Sequence, residues 1–394
     1  MFLKDKKILI GITGGIAAYK VYELIRILTK EGAKVKTVLT PSALDFVSPT
    51  VLSTLTSNVP YWEWDYKNPL VHIDLAKWCD VFLIAPATVN TISKLALGIA
   101  DNLLTATWLA CDKPKIVAPA ANTVMFKNPA VQENLKKLQK WGVEIIPTQK
   151  GLLACGDLGE GKLADINLIR DYLVKALTPQ RWKGKKVLIT LGATKEYLDP
   201  VRFISNGSSG KMGLALAKAI FYQGGKPILV AGETKVEIPE WFETVRVETT
   251  QEMLEACLDI FPSVDAVFMN AAVTDYKFEK TYQNKLKKKE KELIVKLVPT
   301  PDILAQLGKL KTKQILVGFA VETQSLVENA LKKLRKKNLD AIVVNPSKVM
   351  GSDTYEGFLI TKDSLVEEIK KPTKEEAAFY ITQRVAEIFF NPRG

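Results

Sequence analysis

The sequence predicts two doubly wound, Rossmann-like α/β domains in tandem. Three observations lead there. Short apolar runs rich in β-formers alternate with longer stretches of helical periodicity. The alternation restarts once, at Val187-Leu188-Ile189-Thr190-Leu191. The chain has 394 residues, enough for two separate cores at roughly 100–200 residues per domain.

In the first half, strands are expected to begin at Ile8, Val35, Val81, Ile116 and Val143. Helical stretches between them include Ala17–Thr29, Thr91–Gly98 and Pro129–Trp141. In the second half, strands are expected at Val187–Leu191, Pro227–Ala231, Ala266–Met269, Ile315–Gly318 and Ala341–Val344. Helices are expected over Lys211–Tyr222, Glu252–Phe261, Leu326–Lys337 and Lys374–Phe389. Such alternation builds βαβ units on a parallel sheet. Thr178-Pro179-Gln180 follows a helical stretch and precedes the basic segment Lys183-Gly184-Lys185-Lys186, which sets the expected domains at 1–178 and 179–394. The halves open on similar phrases, Ile-Gly-Ile-Thr-Gly and Ile-Thr-Leu-Gly-Ala-Thr, too short to be a repeat.

Apolar residues make up 47% and charged residues 25%, ordinary for a globular protein. Apolar runs such as Val81–Ala85 fall far short of a membrane span. The start runs almost directly into Lys7-Ile8-Leu9-Ile10 without the apolar stretch and cleavage site of a secretory signal, so a cytoplasmic protein is expected. The net charge of +12 suits nucleic acid, a membrane surface or anionic small substrates. The lysines are spread along the chain without interleaved aromatics, which weighs against nucleic acid. Cys79, Cys111, Cys155 and Cys257 show no CxxC spacing, which argues against a disulfide framework or zinc knuckle.

Candidate chemistry in the first half clusters where strands end. Ile10-Gly11-Ile12-Thr13-Gly14-Gly15-Ile16-Ala17 reads as strand, tight turn and helix start. Glycines there let the backbone approach a phosphate, although such turns are also common punctuation, and the GxGxxG fingerprint is not met. Thr40-Pro41-Ser42-Ala43 offers hydroxyls to a phosphate or a cap to a helix. Ala85-Pro86-Ala87-Thr88-Val89-Asn90-Thr91 follows the Val81 strand, at the strand end where open α/β sheets bind ligands. His72 is the only histidine, and so the only side chain with an ordinary pKa near neutrality; a lone histidine can equally be structural. Asn122 follows a strand in Pro119-Ala120-Ala121-Asn122, and Cys155 sits in a glycine-rich loop, Leu153–Leu163, read as a mobile lid or an ordinary flexible loop.

Together these segments resemble the phosphopantothenoylcysteine decarboxylase branch of the homo-oligomeric flavin-containing cysteine decarboxylases, over about residues 5–175. The resemblance rests on Thr-Gly-Gly-Ile-Ala, Pro-Ala-Thr-Val-Asn-Thr, His72, the Asn122 motif and Ala-Cys-Gly. Ala121 stands where the family form has Met. It implies a flavodoxin-like, FMN-binding domain, with Gly14, Ile16, Ser42, Thr88 and Asn90 at the FMN. The implied reaction oxidises the substrate thiol, loses CO2 to leave an enethiol and returns the electrons. His72 is implied as base, Asn122 as holder of the substrate carboxylate or amide, and Cys155 as proton donor.

In the second half, Asp199-Pro200-Val201-Arg202-Phe203-Ile204-Ser205-Asn206 leads into Gly207-Ser208-Ser209-Gly210-Lys211-Met212-Gly213. The glycine-rich entry suits an anion or tight packing, while P-loop spacing fails. Asn270-Ala271-Ala272-Val273-Thr274-Asp275 follows an apolar strand; Asp275 is a candidate for Mg2+ or for a helix cap. Asn284-Lys285-Leu286-Lys287-Lys288-Lys289 is a lysine run, a solvated surface or a polyphosphate contact.

Residues 184–390 resemble phosphopantothenoylcysteine synthetase, on Asp-Pro-Val-Arg-Phe-Ile-Ser-Asn with Ser-Ser-Gly-Lys-Met-Gly, Asn-Ala-Ala-Val, Lys-x-Lys-Lys, Gly318–Thr323 and Lys337-Asn338-Leu339-Asp340. The order matches the bacterial fusion of the two activities. The resemblance implies that 4′-phosphopantothenate attacks CTP, giving an acyl-cytidylate that cysteine converts to the amide. It implies Asn206 at the pantothenate carboxylate, Arg202 ordering that site, and Lys285 on the nucleotide phosphates and in converting the intermediate. Ala271, Ala272, Asp275, Phe319 and Lys337 are implied at the nucleotide, with Mg2+ on Asp275. It also implies a homo-oligomer, a dodecamer built from trimeric decarboxylase units and paired synthetase domains. Two other readings compete: a two-domain Rossmann-type NAD(P) or flavin reductase, which lacks its GxGxxG, and a basic nucleic-acid-binding protein.

Overall fold

A computed structural model describes residues 2–152, 156, 158–287, 292–322, 324–346 and 354–390. The chain divides into two compact units, Met1–Thr178 and Pro179–Gly394.

Five strands form the sheet of the first unit: β1 (Lys7–Ile12), β2 (Lys34–Leu39), β3 (Val81–Ala87), β4 (Lys115–Pro119) and β5 (Glu144–Ile145). They are parallel, in the order β2-β1-β3-β4-β5, the flavodoxin-type arrangement with its switch point between β1 and β3. Every residue of β3 is buried, because helices cover both faces of a parallel sheet. The helices are α1 (Val21–Lys30), α2 (Pro49–Thr56), α3 (Val71–Trp78), α4 (Val89–Leu97), α5 (Leu103–Ala110), α6 (Thr123–Lys127), α7 (Pro129–Lys140) and α8 (Ile166–Ala176). α3, α4, α5 and α7 bury their apolar residues around Phe82 and Ile84, while α1 and α8 pack together elsewhere on the sheet. The ends of α4 follow from its sequence: the Thr88 hydroxyl accepts the Thr91 N–H, and Gly98 closes the helix at φ 72°.

Two expectations for this unit need correction. The helix expected over Ala17–Thr29 begins instead as a 3-10 turn, Ile16–Lys20, and becomes α1 only at Val21. The Gly15 carbonyl accepts the Ala18 N–H at 2.9 Å, closing the turn more tightly than an α-helix does. The glycine-rich loop has structured arms, the antiparallel strands β6 (Gln149–Leu152) and β7 (Leu158–Lys162). Polar and glycine residues in these half-exposed arms give no apolar alternation to read. Cys155 lies outside the described residues.

The second unit holds an eight-stranded sheet. Its strands are β8 (Lys186–Leu191), β11 (Lys226–Ala231), β12 (Glu243–Arg246), β13 (Ala266–Met269), β16 (Ile315–Glu322), β17 (Ala341–Pro346), β18 (Tyr355–Thr361) and β19 (Val366–Lys371). Small hairpins stand apart as β9 (Lys195–Tyr197) with β10 (Phe203–Ser205), and β14 (Tyr276–Phe278) with β15 (Leu297–Pro299). The order β12-β11-β8-β13-β16-β17 is parallel and doubly wound, and β18 and β19 extend it antiparallel. The chain reverses its winding between β8 and β13, the switch point where such sheets bind ligands.

Among the described residues of this unit, five α-helices flank the sheet: α9 (Lys211–Tyr222), α10 (Thr250–Ile260), α11 (Ile303–Leu310), α12 (Leu326–Lys336) and α13 (Lys374–Phe389). α9 and α13 share one core with Ile189, Phe268 and Val317, and α10, α11 and α12 share the other with Leu188, Val267 and Leu316. Fully buried Trp182 locks the first core: Nε1 donates to the Thr382 carbonyl at 3.0 Å, and its ring meets Phe268 and Phe390 edge-on. Thr249 and Glu252 form a capping box that starts α10. Asp275 caps no helix: it precedes β14, and its carbonyl accepts the Thr300 N–H at 3.0 Å.

Candidate functional sites

In the first unit, the ends of β1 and β3 meet at the switch point. The Thr13 hydroxyl donates to the Pro86 carbonyl at 2.7 Å and accepts the Thr88 N–H at 3.0 Å. Gly14 lies so close to the next strand end that a Cβ on it would stand 2.5 Å from Ser42 Oγ and 2.7 Å from the Ser42 carbonyl oxygen. Ser42 Oγ is 3.2 Å from Thr40 Oγ1. Gly14, Ser42 and Thr88 therefore border one turn, with Ile16 and Asn90 exposed two residues beyond it. Thr13 was missed in the sequence reading; its place in Thr-Gly-Gly was the available signal.

His72 lies in the first turn of α3, its ring edge-on to Trp64 at 5.0 Å between centroids. Its Nδ1 is buried with no hydrogen-bond partner among the described residues. Asn122 caps α6, its side chain accepting the Val124 N–H at 2.9 Å. The β6–β7 hairpin docks on this turn. Ala121 N–H donates to the Gly161 carbonyl at 2.9 Å, and Thr123 Oγ1 to the Glu160 carbonyl at 2.7 Å. A Cβ on Gly159 would stand 2.2 Å from Thr123 Oγ1, and one on Gly161 would stand 2.4 Å from the Ala121 carbonyl oxygen. Those glycines permit the close approach, so the β6–β7 hairpin is rooted beside Asn122.

Sequence spacing also hid a thiol pair. Cys79 and Cys111 are buried at the ends of α3 and α5 with sulfurs 3.9 Å apart. Their mutual hydrogen bond favours ionisation of Cys111, lowered to about 7, and holds Cys79 protonated well above the usual thiol range.

The second unit contains a cleft of about 730 Å³ at its switch point. Asn206, Ala271, Ala272, Asp275, Phe319 and Lys337 line it. Asn206 Nδ2 donates to the Val273 carbonyl at 2.9 Å, tying the end of β10 to the segment after β13. Ala271 N–H donates to Thr190 Oγ1 at 3.1 Å, and Ala272 N–H to the Gly192 carbonyl at 2.8 Å. α9 opens onto the cleft from Gly210, at φ 77°; the Lys211 N–H donates to Ser209 Oγ at 3.4 Å, and the positive end of the helix dipole favours an anion there. Lys337 Nζ lies 2.9 Å from Asp302 Oδ2, and Lys333 Nζ 2.6 Å from Glu322 Oε1. Asp302 and Lys333 also line the cleft and were missed. Asp302 also caps α11, its side chain accepting the Ala305 N–H at 3.0 Å.

Arg202 and Lys285 are not among the cleft-lining residues. Arg202 Nη2 donates to the carbonyl of Leu286 at 3.0 Å and Nη1 pairs with Asp199 at 2.7 Å; Lys285 precedes Leu286 with its side chain exposed.

Comparison with known proteins follows the division into two units. The family described as Flavoprotein matches residues 2–178, and that described as DNA/pantothenate metabolism flavoprotein C-terminal domain matches residues 182–389. The chain is 40% identical over 396 residues to Coenzyme A biosynthesis bifunctional protein CoaBC of Bacillus subtilis (strain 168), covering 98% of this chain and 97% of that protein. A protein of an unknown prokaryotic organism, named Cysteine/Cysteine sulfinic acid decarboxylase, is 38% identical over 353 residues, 86% of this chain and 98% of that protein. Among solved structures, the C-terminal domain of a Coenzyme A biosynthesis bifunctional protein CoaBC is 40% identical with a TM-score of 0.47, covering 53% of this chain and 97% of that one. The two family models and the relatives matched over nearly the full chain displace the reductase and nucleic-acid readings: the chain belongs to the family of bifunctional coenzyme A biosynthesis proteins, which join a decarboxylase to a ligase.

Proposed function

We propose that residues 179–394 join 4′-phosphopantothenate to cysteine using CTP and Mg2+, and that residues 1–178 decarboxylate the product, 4′-phosphopantothenoylcysteine, with FMN. The observation that carries this reading is the cleft of the second unit, which gathers Asn206, Ala271, Ala272, Asp275, Phe319 and Lys337 from separate elements.

In the ligase, main-chain groups at Ala271 and Ala272 and the ring of Phe319 would receive the nucleotide, with Lys337 toward its phosphates. Asn206 would hold the pantothenate carboxylate against the α-phosphate. Lys285 and Arg202 would offset the charge that develops there. No group of three or more His, Cys, Asp or Glu residues among those described is arranged to hold a metal. Mg2+ would therefore enter with the triphosphate and bind one or two carboxylates, Asp275 first.

In the decarboxylase, the close approach at Gly14 and the hydroxyls of Ser42 and Thr88 fit a phosphate-bearing flavin. FMN supplies a two-electron store. The chain's own groups do the rest. Asn90 and Ile16 would border the cofactor, His72 would take the proton that leaves the substrate, Asn122 would hold the carboxylate or amide, and Cys155 would return a proton. Nδ1 of His72, without a partner among the described residues, leaves hydrogen-bonding capacity for a ligand.

Exposed apolar residues on the first unit, including Ile16, Trp64, Leu70, Leu97 and Val124, support a homo-oligomer, for which the dodecamer is our proposal. No helix among the described residues is long and apolar enough to cross a membrane; we place the enzyme in the cytoplasm, with small-molecule substrates and no nucleic acid partner.

The test is to mix purified protein with 4′-phosphopantothenate, CTP, Mg2+ and cysteine and identify products by mass. 4′-Phosphopantetheine, CMP, pyrophosphate and CO2 are expected. Release of CO2 from cysteine or cysteine sulfinic acid alone, without CTP consumption, would overturn the proposal in favour of the activity named for the second relative.

A further inference from the structure

Asp199 is a carboxylate with no exposed side-chain surface, and its two oxygens do different work. Oδ1 accepts the N–H groups of Val201 and Arg202 at 2.8 and 2.9 Å, holding its own turn. Oδ2 looks across the fold. It pairs with Arg202 Nη1 at 2.7 Å and accepts the N–H of Leu286, 87 residues away, at 3.2 Å. Arg202 Nη2 takes the Leu286 carbonyl at 3.0 Å. Both main-chain groups of Leu286 are thus bound by one ion pair. A second anchor lies just before it: Tyr282 N–H donates to the Leu198 carbonyl at 2.8 Å. Lys285 stands between the two anchors, with its side chain exposed.

We propose that Asp199 is a positioning residue for the ligase reaction: through Arg202 and Leu286 it clips the Lys285 segment to the β9–β10 hairpin, whose last residue, Ser205, precedes Asn206. The inference rests on the proposed work of Lys285 at the nucleotide phosphates. A lysine on a loop can offset transferring charge only if its main chain is fixed beforehand, because a preorganised group needs no reorganisation during the reaction. Oδ2 must be an acceptor, since both of its partners, the Arg202 guanidinium and the Leu286 N–H, are donors. An amide there can keep the local turn through Oδ1, but it presents N–H to an N–H and a guanidinium. Asp199→Asn therefore separates the clip from the turn.

Three variants test this, with ligase turnover read by pyrophosphate release: Asp199→Asn, Lys285→Gln and the pair together. Decarboxylation of supplied 4′-phosphopantothenoylcysteine reports on the rest of the enzyme. Asp199→Asn should lower kcat roughly 10- to 100-fold, the scale of a misplaced catalytic group. The double variant should be no slower than Lys285→Gln alone. Amide exchange should quicken at 282–287 and stay unchanged in β8 and β13. If Lys285→Gln is impaired while Asp199→Asn runs at the wild-type rate, or if the two losses multiply, the clip is overturned and the ligase reading survives. If Lys285→Gln runs at the wild-type rate, the role of Lys285 falls and takes the clip with it. Should Asp199→Asn unfold, Arg202→Lys is read instead: exchange protection lost at 282–287 supports the clip, and protection kept there overturns it.

Discussion

Thr13 and Thr88 are hydrogen-bonded across the switch point of the first sheet: the Thr88 N–H donates to Thr13 Oγ1 at 3.0 Å. Thr13 is 1% exposed, and its hydroxyl also donates to the Pro86 carbonyl. One side chain thus joins the glycine turn after β1 to the start of α4. Thr13→Val keeps the shape but strands the buried Pro86 carbonyl and the part-buried Thr88 N–H, a loss of about 1–3 kcal/mol. We predict a flavin content well below wild type after gel filtration, with ligase turnover unchanged. Full flavin retention would show that the turn holds without this bond.

Gly14→Ala tests the same turn by volume. The new Cβ would meet Ser42 at both Oγ and the main chain, and the main chain cannot swing aside like a flexible side chain. Overpacking of this kind costs about 1–3 kcal/mol. The expected result is a colourless or pale protein whose ligase is intact. Gly98→Ala is the control for φ strain without crowding, since nothing lies within 4 Å of its Cβ position and φ is 72°.

His72→Asn should remove the decarboxylase and leave the flavin spectrum and the ligase in place. Loss of a general base lowers rate by about 10²- to 10⁴-fold. Because Nδ1 has no partner among the described residues, little structural cost is expected. A variant that decarboxylates at the wild-type rate would remove His72 from the chemistry.

The Asp199 clip should carry a pH signature. Burial pushes its carboxyl upward, but the N–H groups of Val201, Arg202 and Leu286 and the Arg202 guanidinium outweigh it, so Asp199 ionises below the usual carboxylate range. A depressed folded-state pKa stabilises fully above the unfolded value, ~4, and that stability is lost as pH falls through the folded value. Denaturant midpoints, followed by exchange in β8, should separate wild type from Asp199→Asn near neutrality and converge in acid. A gap that stays constant below pH ~4 would contradict the linkage.

Much of this architecture is legible in the amino-acid sequence alone. The apolar runs at Ile8, Val81, Val187 and Ala266 became parallel strands because a strand covered on both faces must be apolar throughout. Lys211–Tyr222 and Lys374–Phe389 formed as helices at the expected bounds. The residues expected at the ligase nucleotide gather around the cleft, apart from Lys285. The hairpins β6–β7, β9–β10 and β14–β15 were illegible because short, half-exposed, glycine- or lysine-bearing arms carry no period-2 signal.

By itself the sequence determined which segments enter the sheets, where several helices stop and which family motifs stand at the strand ends, since burial and capping act over a few neighbouring residues. Tertiary structure alone decided that Thr13 meets Thr88, that Cys79 faces Cys111 and that Asp199 grips Leu286. Each pair joins distant segments, and only the crossing order of the strands brings them within hydrogen-bonding reach.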